Sequence, residues 1–292
     1  MANPPEPTSN LGNRRHDRRK CSGILSTFLC SVVPVHVSAM SPYPSGNETR
    51  ATLIVGMAGS GKSTVSSCLK ARCESKGIRT YTINLDPAVR QLQYEPNIDI
   101  RDTIDYEAVR KEYSLGPNGA ILTSCNLFAT RFDQVVSLCE RRQDEIDHLL
   151  VDTPGQMEIF TWSAAGTIVC ESLATSFATT VLFVVDTPRA KDAQVFVSNM
   201  LQCLSVVYKT RLPVVLAFNK IDVVGYEFAK SWMEKEELLR ESLDGLSTYS
   251  SDLAISLIAA MSKFYTELIP VGISATRLIG IDELLEALDL VQ

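Results

Sequence analysis

The sequence predicts an α/β fold with a mainly parallel central sheet flanked by helices, and three observations predict it. From Ala51 onward, short apolar runs alternate with amphipathic stretches, the pattern of strands exchanging with helices. Two of these runs, Thr180–Val185 and Leu212–Phe218, carry no charge at all, as expected of central strands covered on both faces. Residues with chemical potential follow directly after strands, where open α/β sheets bind their ligands.

Taken in order, strands are expected at 51–56, 79–84, 148–152, 179–186, 212–218 and 269–274. Helices are expected at 62–75, 105–113, 126–145, 157–173, 191–209, 226–243, 250–266 and 281–290. Two stretches depart from the alternation and read as helical insertions, one at about 86–125 and one at about 225–266. Residues 1–50 differ in character, with a basic run at Arg14–Lys20 followed by an apolar stretch from Ile24 to Val37. That stretch is broken by Pro34 and is shorter than the roughly 20 apolar residues that span a bilayer. The segment reads as a disordered or targeting-like extension, with a cleaved presequence and a true start at Met40 as open alternatives.

The first strand runs into Gly56-Met57-Ala58-Gly59-Ser60-Gly61-Lys62-Ser63-Thr64, which fits G-x-x-x-x-G-K-[ST] and makes this a P-loop NTPase fold. Glycines allow backbone N–H groups to turn onto phosphate oxygens, and the following helix presents its positive end to the same anion. Ala58, Gly59, Ser60, Gly61, Lys62, Ser63 and Thr64 are therefore nucleotide-binding candidates. Lys62 is expected at the β- and γ-phosphates, and the Ser63 hydroxyl at Mg²⁺.

The strand 148–152 ends in Asp152-Thr153-Pro154-Gly155-Gln156. An aspartate there can hold the Mg²⁺ shell, and the Gly155 N–H can approach a γ-phosphate and report its presence. The strand 212–218 ends in Asn219-Lys220-Ile221-Asp222. A carboxylate across from a purine edge accepts from guanine N1–H and the 2-amino group, whereas adenine offers neither donor there. Asn219, Lys220 and Asp222 thus select guanine, with Ala275 of Ser274-Ala275 offering a backbone contact to the base edge. GTP and GDP with Mg²⁺ are the expected cofactors. Hydrolysis requires a group that orients water, for which Asp86, Gln156 and Glu158 are the candidates.

Composition excludes other classes. Residues 1–50 hold six Lys/Arg against three Asp/Glu, and the rest of the chain 22 against 31, an acidic balance that argues against direct nucleic-acid binding. The eight cysteines form no C-x-x-C pair, and the three histidines are too dispersed for a triad or a metal cluster. No stretch after residue 50 reads as membrane-spanning.

The segments Gly56–Thr64, Ile83–Ala88, Gly116-Pro117-Asn118, Asp152–Gln156 and Asn219–Asp222 together resemble the GPN-loop GTPases over about 51–290. On its own, Leu115–Ala120 reads as a turn. The resemblance implies a homodimer, or a heterodimer with a paralogous GPN-loop GTPase, in which Gly116, Pro117 and Asn118 reach the partner's nucleotide phosphates. It also implies that Asp86 positions or activates water. The runs Ile98–Asp102, Phe160–Ala165 and Asp186–Arg189 look most like the first eukaryotic paralogue, which implies RNA polymerase II subunits or assembly factors as partners. That in turn implies a cytoplasmic protein, with shuttling to the nucleus left open. Larger eukaryotic members carry a charged tail beyond the final helix, which the sequence through Gln292 does not show.

Three other readings stay open at this level. A P-loop small-molecule kinase would need an acceptor-binding Arg/Lys set and would not need Asn219–Asp222. A non-hydrolysing scaffold would need Lys62 and Asp152 but neither Asp86 nor Gln156. A nickel-insertion GTPase would need clustered Cys/His ligands.

Overall fold

Seven parallel strands form one sheet in the order β3-β2-β4-β1-β5-β6-β7. These are β1 (Arg50–Gly56), β2 (Thr80–Asn84), β3 (Ile98–Asp99), β4 (His148–Asp152), β5 (Ala178–Asp186), β6 (Val214–Asn219) and β7 (Ile269–Ile273). The computed structural model describes residues 49–244 and 268–290, together with 254, 257, 258, 261, 264, 265 and 266. The extension expected over 1–50 lies outside the described residues except for its last two, and so does most of the helix expected at 250–266.

The six expected strands are present within two residues of their anticipated ends. The two-residue β3 was not anticipated, because so short an edge strand leaves no periodicity to read. It exists because Asn84 and Asp99 are paired in register and their side chains bond at 3.0 Å.

Helices cover both faces. On one lie α1 (Lys62–Ser75) and the C-terminal helix Ile281–Leu290, packed on Ile54, Leu150, Leu182 and Val215. The other face carries α2 (Tyr106–Glu112), α3 (Pro117–Ala129), α4 (Phe132–Glu140), α5 (Met157–Trp162), α6 (Ala164–Ser176), α7 (Thr187–Ala190), α8 (Ala193–Thr210), α9 (Glu227–Glu234) and α10 (Glu236–Asp244). The larger core lies there, with Phe132, Phe183, Phe196 and Phe218 fully buried.

The anticipated helix at 126–145 is three pieces: the end of α3, α4, and a 3₁₀ turn at Gln143–Glu145. The anticipated helix at 157–173 breaks at Ser163, which is extended (φ −97°, ψ 158°) and caps α6 by accepting from the Gly166 N–H at 3.2 Å. Gly116-Pro117-Asn118 is not a turn but the start of α3. Gly116 is the extended N-cap and Pro117 the first helical residue, where its missing N–H costs nothing. The insertion expected at about 86–125 is therefore a loop, a short edge strand and two helices.

His148 is buried at the start of β4, its Nε2 2.8 Å from Thr52 Oγ1 and its Nδ1 3.9 Å from Cys73 Sγ. Burial lowers its pKa from 6.5 to about 4, with Arg50 adding to the effect. The unfolded chain takes up this proton near pH 6.5 and the fold resists it until about pH 4. The contribution of His148 to stability is thus expected to be full above pH 6.5 and to be lost, by roughly 3 kcal/mol, as pH falls to 4. Urea unfolding of wild type and His148→Asn across this range measures the difference, and parallel pH profiles would refute it.

Candidate active site

Register lines up polar residues along the carboxyl edge of the sheet. Asp99 stands opposite Asn84, Asn84 opposite Asp152, and Asp186 opposite Asn219, each at or next to a strand end. Between them β1 ends at Gly56, where a Cβ would lie 2.3 Å from the Val184 carbonyl oxygen. The phosphate loop therefore leaves the sheet at the middle of this polar row.

Within the loop, Ala58 and Gly59 are exposed, Ser60 is buried, and Ser63 and Thr64 are half-buried. Gly61 has φ +94°, and a Cβ there would lie 2.5 Å from Asn219 Nδ2, so both backbone conformation and space demand glycine. The Lys62 ammonium donates to the carbonyls of Gly56 at 2.9 Å and Met57 at 3.1 Å. Burial lowers its pKa, against the pull of Asp152 and Asp86. The loop after β4 lies over the phosphate loop, and a Cβ at Gly155 would sit 3.5 Å from Ala58 Cα and 3.9 Å from Lys62 Nζ.

Asp152 is 1% exposed. Its Oδ2 accepts from the Tyr94 hydroxyl at 3.2 Å, while its Oδ1 is buried without a partner. Burial raises its pKa to about 6, partly offset by the Ser63 hydroxyl, the Lys62 ammonium and Tyr94. An orphaned buried carboxylate oxygen beside a serine hydroxyl is a donor pair that fits Mg²⁺. Among the described residues no three His, Cys, Asp or Glu converge on one point.

Asp86 follows β2 and is half-buried. Its Oδ1 accepts from the Ala88 N–H at 2.9 Å, and Asn84 brackets its backbone on both sides. Burial raises its pKa above the ordinary carboxylate value, offset by the Ala88 N–H and by Lys62. Behind it, Arg101 grips Asp99 with Nε and Nη2 and donates from Nη1 to the Val89 carbonyl at 3.1 Å. Gln156 donates from Nε2 to Asn118 Oδ1 of the same chain at 2.6 Å. Asn118 thus meets the loop after β4 of its own chain. Glu158 falls in the first turn of α5, and its side chain lies outside the described residues.

On the other side of the loop, Asn219 is 3% exposed and acts as a brace. Its Nδ2 donates to the Ser60 carbonyl at 2.8 Å, and its Oδ1 accepts from the Ala275 N–H at 3.2 Å. The Ala275 N–H expected at a base edge is thus engaged by Asn219. Lys220 donates to the Gly59 carbonyl and to Asp186 Oδ2, both at 2.7 Å. Asp222 is exposed, with one oxygen held by the Ser274 hydroxyl at 2.5 Å. Three residues were missed by sequence reasoning. Asp186 and Thr187, whose hydroxyl donates to the Asn219 carbonyl at 2.6 Å, support the Asn219–Asp222 motif, and Tyr94 supports Asp152. Asp186 carried a signal, an acidic residue ending an apolar strand as Asp152 does.

Residues 54–291 match the family model described as a conserved hypothetical ATP binding protein. The chain is 48% identical over 238 residues to GPN-loop GTPase 1 of Dictyostelium discoideum, covering 82% of this chain and 60% of that one. It is 50% identical over 236 residues to GPN-loop GTPase QQT2 of Arabidopsis thaliana, covering 81% and 62%. The chain therefore spans about three fifths of the length of these relatives. Among solved structures, an apo-form GTPase from Pyrococcus abyssi superposes with a TM-score of 0.72 at 26% identity, covering 82% of this chain and 96% of that one.

Proposed function

The chain belongs to the GPN-loop GTPase family, most like paralogue 1, and on that premise we propose that it binds GTP with Mg²⁺, hydrolyses it to GDP and phosphate, and acts as a dimeric switch in the assembly and nuclear import of RNA polymerase II. The observation that carries the GTPase reading is the meeting of Lys62, Asp152 and Asp86 around one glycine-rich loop, with Gly155 laid over it. The backbone of Ala58–Thr64 and the Lys62 ammonium bind the phosphates. Ser63 and Asp152 would hold Mg²⁺, which would supply neutralising charge at the phosphates. Asp86 is the group placed to take a proton from the attacking water, and burial makes it a stronger base than a solvated carboxylate. Gln156, fixed by Asn118, orients that water. Asp222 takes the guanine N1–H and 2-amino donors.

A dimer is supported by apolar surface on the helices near Asn118: Leu122 and Leu127 of α3, Trp162 of α5 and Ile168 of α6 are all at least 37% exposed. The partner is a second copy or a paralogue. Support for the polymerase client, and for work in the cytoplasm with passage into the nucleus, comes from the paralogue-like runs Ile98–Asp102, Phe160–Ala165 and Asp186–Arg189.

Equilibrium binding in Mg²⁺ tests the nucleotide: GTP is expected to bind at least about 100-fold more tightly than ATP. Equal affinities would remove the guanine assignment. A pulldown of the tagged chain from its own cells, with and without a non-hydrolysable GTP analogue, tests the client. Polymerase subunits and a related GTPase are expected, and recovery of neither in both states would remove the client role.

A further inference from the structure

We infer that Tyr94 is a positioning residue for the divalent cation, its hydroxyl holding one oxygen of Asp152 so that the other is presented to the cation beside Ser63. The inference rests on the Mg²⁺–guanine nucleotide reading above. A buried carboxylate that ligates a cation must be fixed about its own axis, because either oxygen could otherwise rotate toward the metal. Ligating groups are commonly fixed by a hydrogen bond from a neighbour. Here Oδ2 accepts from Tyr94 at 3.2 Å, while Oδ1 is buried without a hydrogen-bond partner and the Ser63 hydroxyl lies beside the carboxylate.

The phenol arrives by a pinned path. Tyr94 lies in the loop between β2 and β3, and the residues on either side of it are tied to α1. Ser67 Oγ donates to the Gln93 carbonyl at 3.3 Å, and Lys70 Nζ to the Glu95 carbonyl at 2.7 Å. A second tie reaches β2, where the Asn97 side chain accepts from the Thr82 N–H at 2.8 Å. The helix that supplies the Ser63 ligand in its first turn therefore also holds the residue that orients the carboxylate ligand. Cation hydroxyl and orienting phenol are thus tied to the same helix, and the cation carboxylate stands at the end of β4.

Tyr94→Phe keeps the ring and removes only the hydroxyl. The readout is retention of a fluorescent GDP analogue as Mg²⁺ is titrated, with a parallel measurement in EDTA. The half-saturating Mg²⁺ concentration is expected to rise about tenfold, the usual scale for loss of such a partner. GDP affinity in EDTA is expected to stay unchanged, which a general loss of structure would not allow. Lys70→Ala frees Glu95 without touching Asp152, and it is expected to move the midpoint in the same direction by a smaller factor. An unmoved midpoint in both variants, or an equal loss of GDP with Mg²⁺ and with EDTA, would overturn the role of Tyr94 alone. If wild type itself retains GDP no better with Mg²⁺ than in EDTA, the underlying nucleotide–cation reading falls with it.

Discussion

Replacement of Asp86 by alanine is expected to slow single-turnover GTP hydrolysis by about 10²- to 10⁴-fold while changing GTP affinity by no more than a few-fold. The size follows from the role. A positioned base contributes to the transition state and little to ground-state binding, so the loss should fall on the chemical step. Asp86 is set for this by Asn84 and by the Ala88 N–H, and burial keeps its carboxylate more basic than one in water. Because the Ala88 bond is also a local support, Asp86→Asn is the cleaner companion variant. It keeps an acceptor for that N–H and cannot take a proton, so it should be as slow as alanine. The wild-type rate should fall with acidification at a higher pH than an ordinary aspartate would give, since only the ionised form can accept the proton. Unchanged rates in both variants would leave a nucleotide-binding protein in which Asp86 has no catalytic part.

The strands that build this site were legible because each is an apolar run ending in a chemically informative residue: Gly56, Asp152 and Asn219. Parallel pairing then sets such residues side by side whatever the distance between them in sequence. Contacts between segments with no shared pattern were less legible. Tyr94 meets Asp152 across 58 residues, and nothing in the local sequence distinguishes its hydroxyl from that of any other tyrosine in a loop. The Asn84–Asp99–Arg101 cluster depends on a two-residue strand too short to show alternation. Gly116-Pro117 was ambiguous for a different reason. The dihedrals that make Gly-Pro a turn also suit an N-cap followed by the first residue of a helix, and only the packing of α3 decides between them. Asn219 shows how a recognisable motif can still hide its division of labour. One of its residues braces the phosphate loop while another, three positions on, faces outward.

That outward residue gives the second large effect. Asp222→Asn is expected to weaken GTP by about 100-fold or more and to turn preference toward xanthosine triphosphate. A carboxylate has only acceptors to offer, and guanine presents two donors, N1–H and the 2-amino group. Asparagine sets an NH₂ group against one of those donors, which leaves donors facing each other. Xanthine carries an oxygen at that position, so the same NH₂ group finds an acceptor. Orientation matters as much as identity: the Ser274 hydroxyl holds one Asp222 oxygen at 2.5 Å, which leaves the carboxylate little freedom to turn away from a base. Ser274→Ala should therefore weaken GTP in the same direction as Asp222→Asn but by less, and without gaining xanthosine triphosphate, because the acceptor set is unchanged. Competition binding with both nucleotides separates these outcomes. If GTP affinity is unaltered in Asp222→Asn, base selection lies outside Asn219–Asp222. If Ser274→Ala gains xanthosine triphosphate, the discrimination comes from how the carboxylate is held and not from its chemistry.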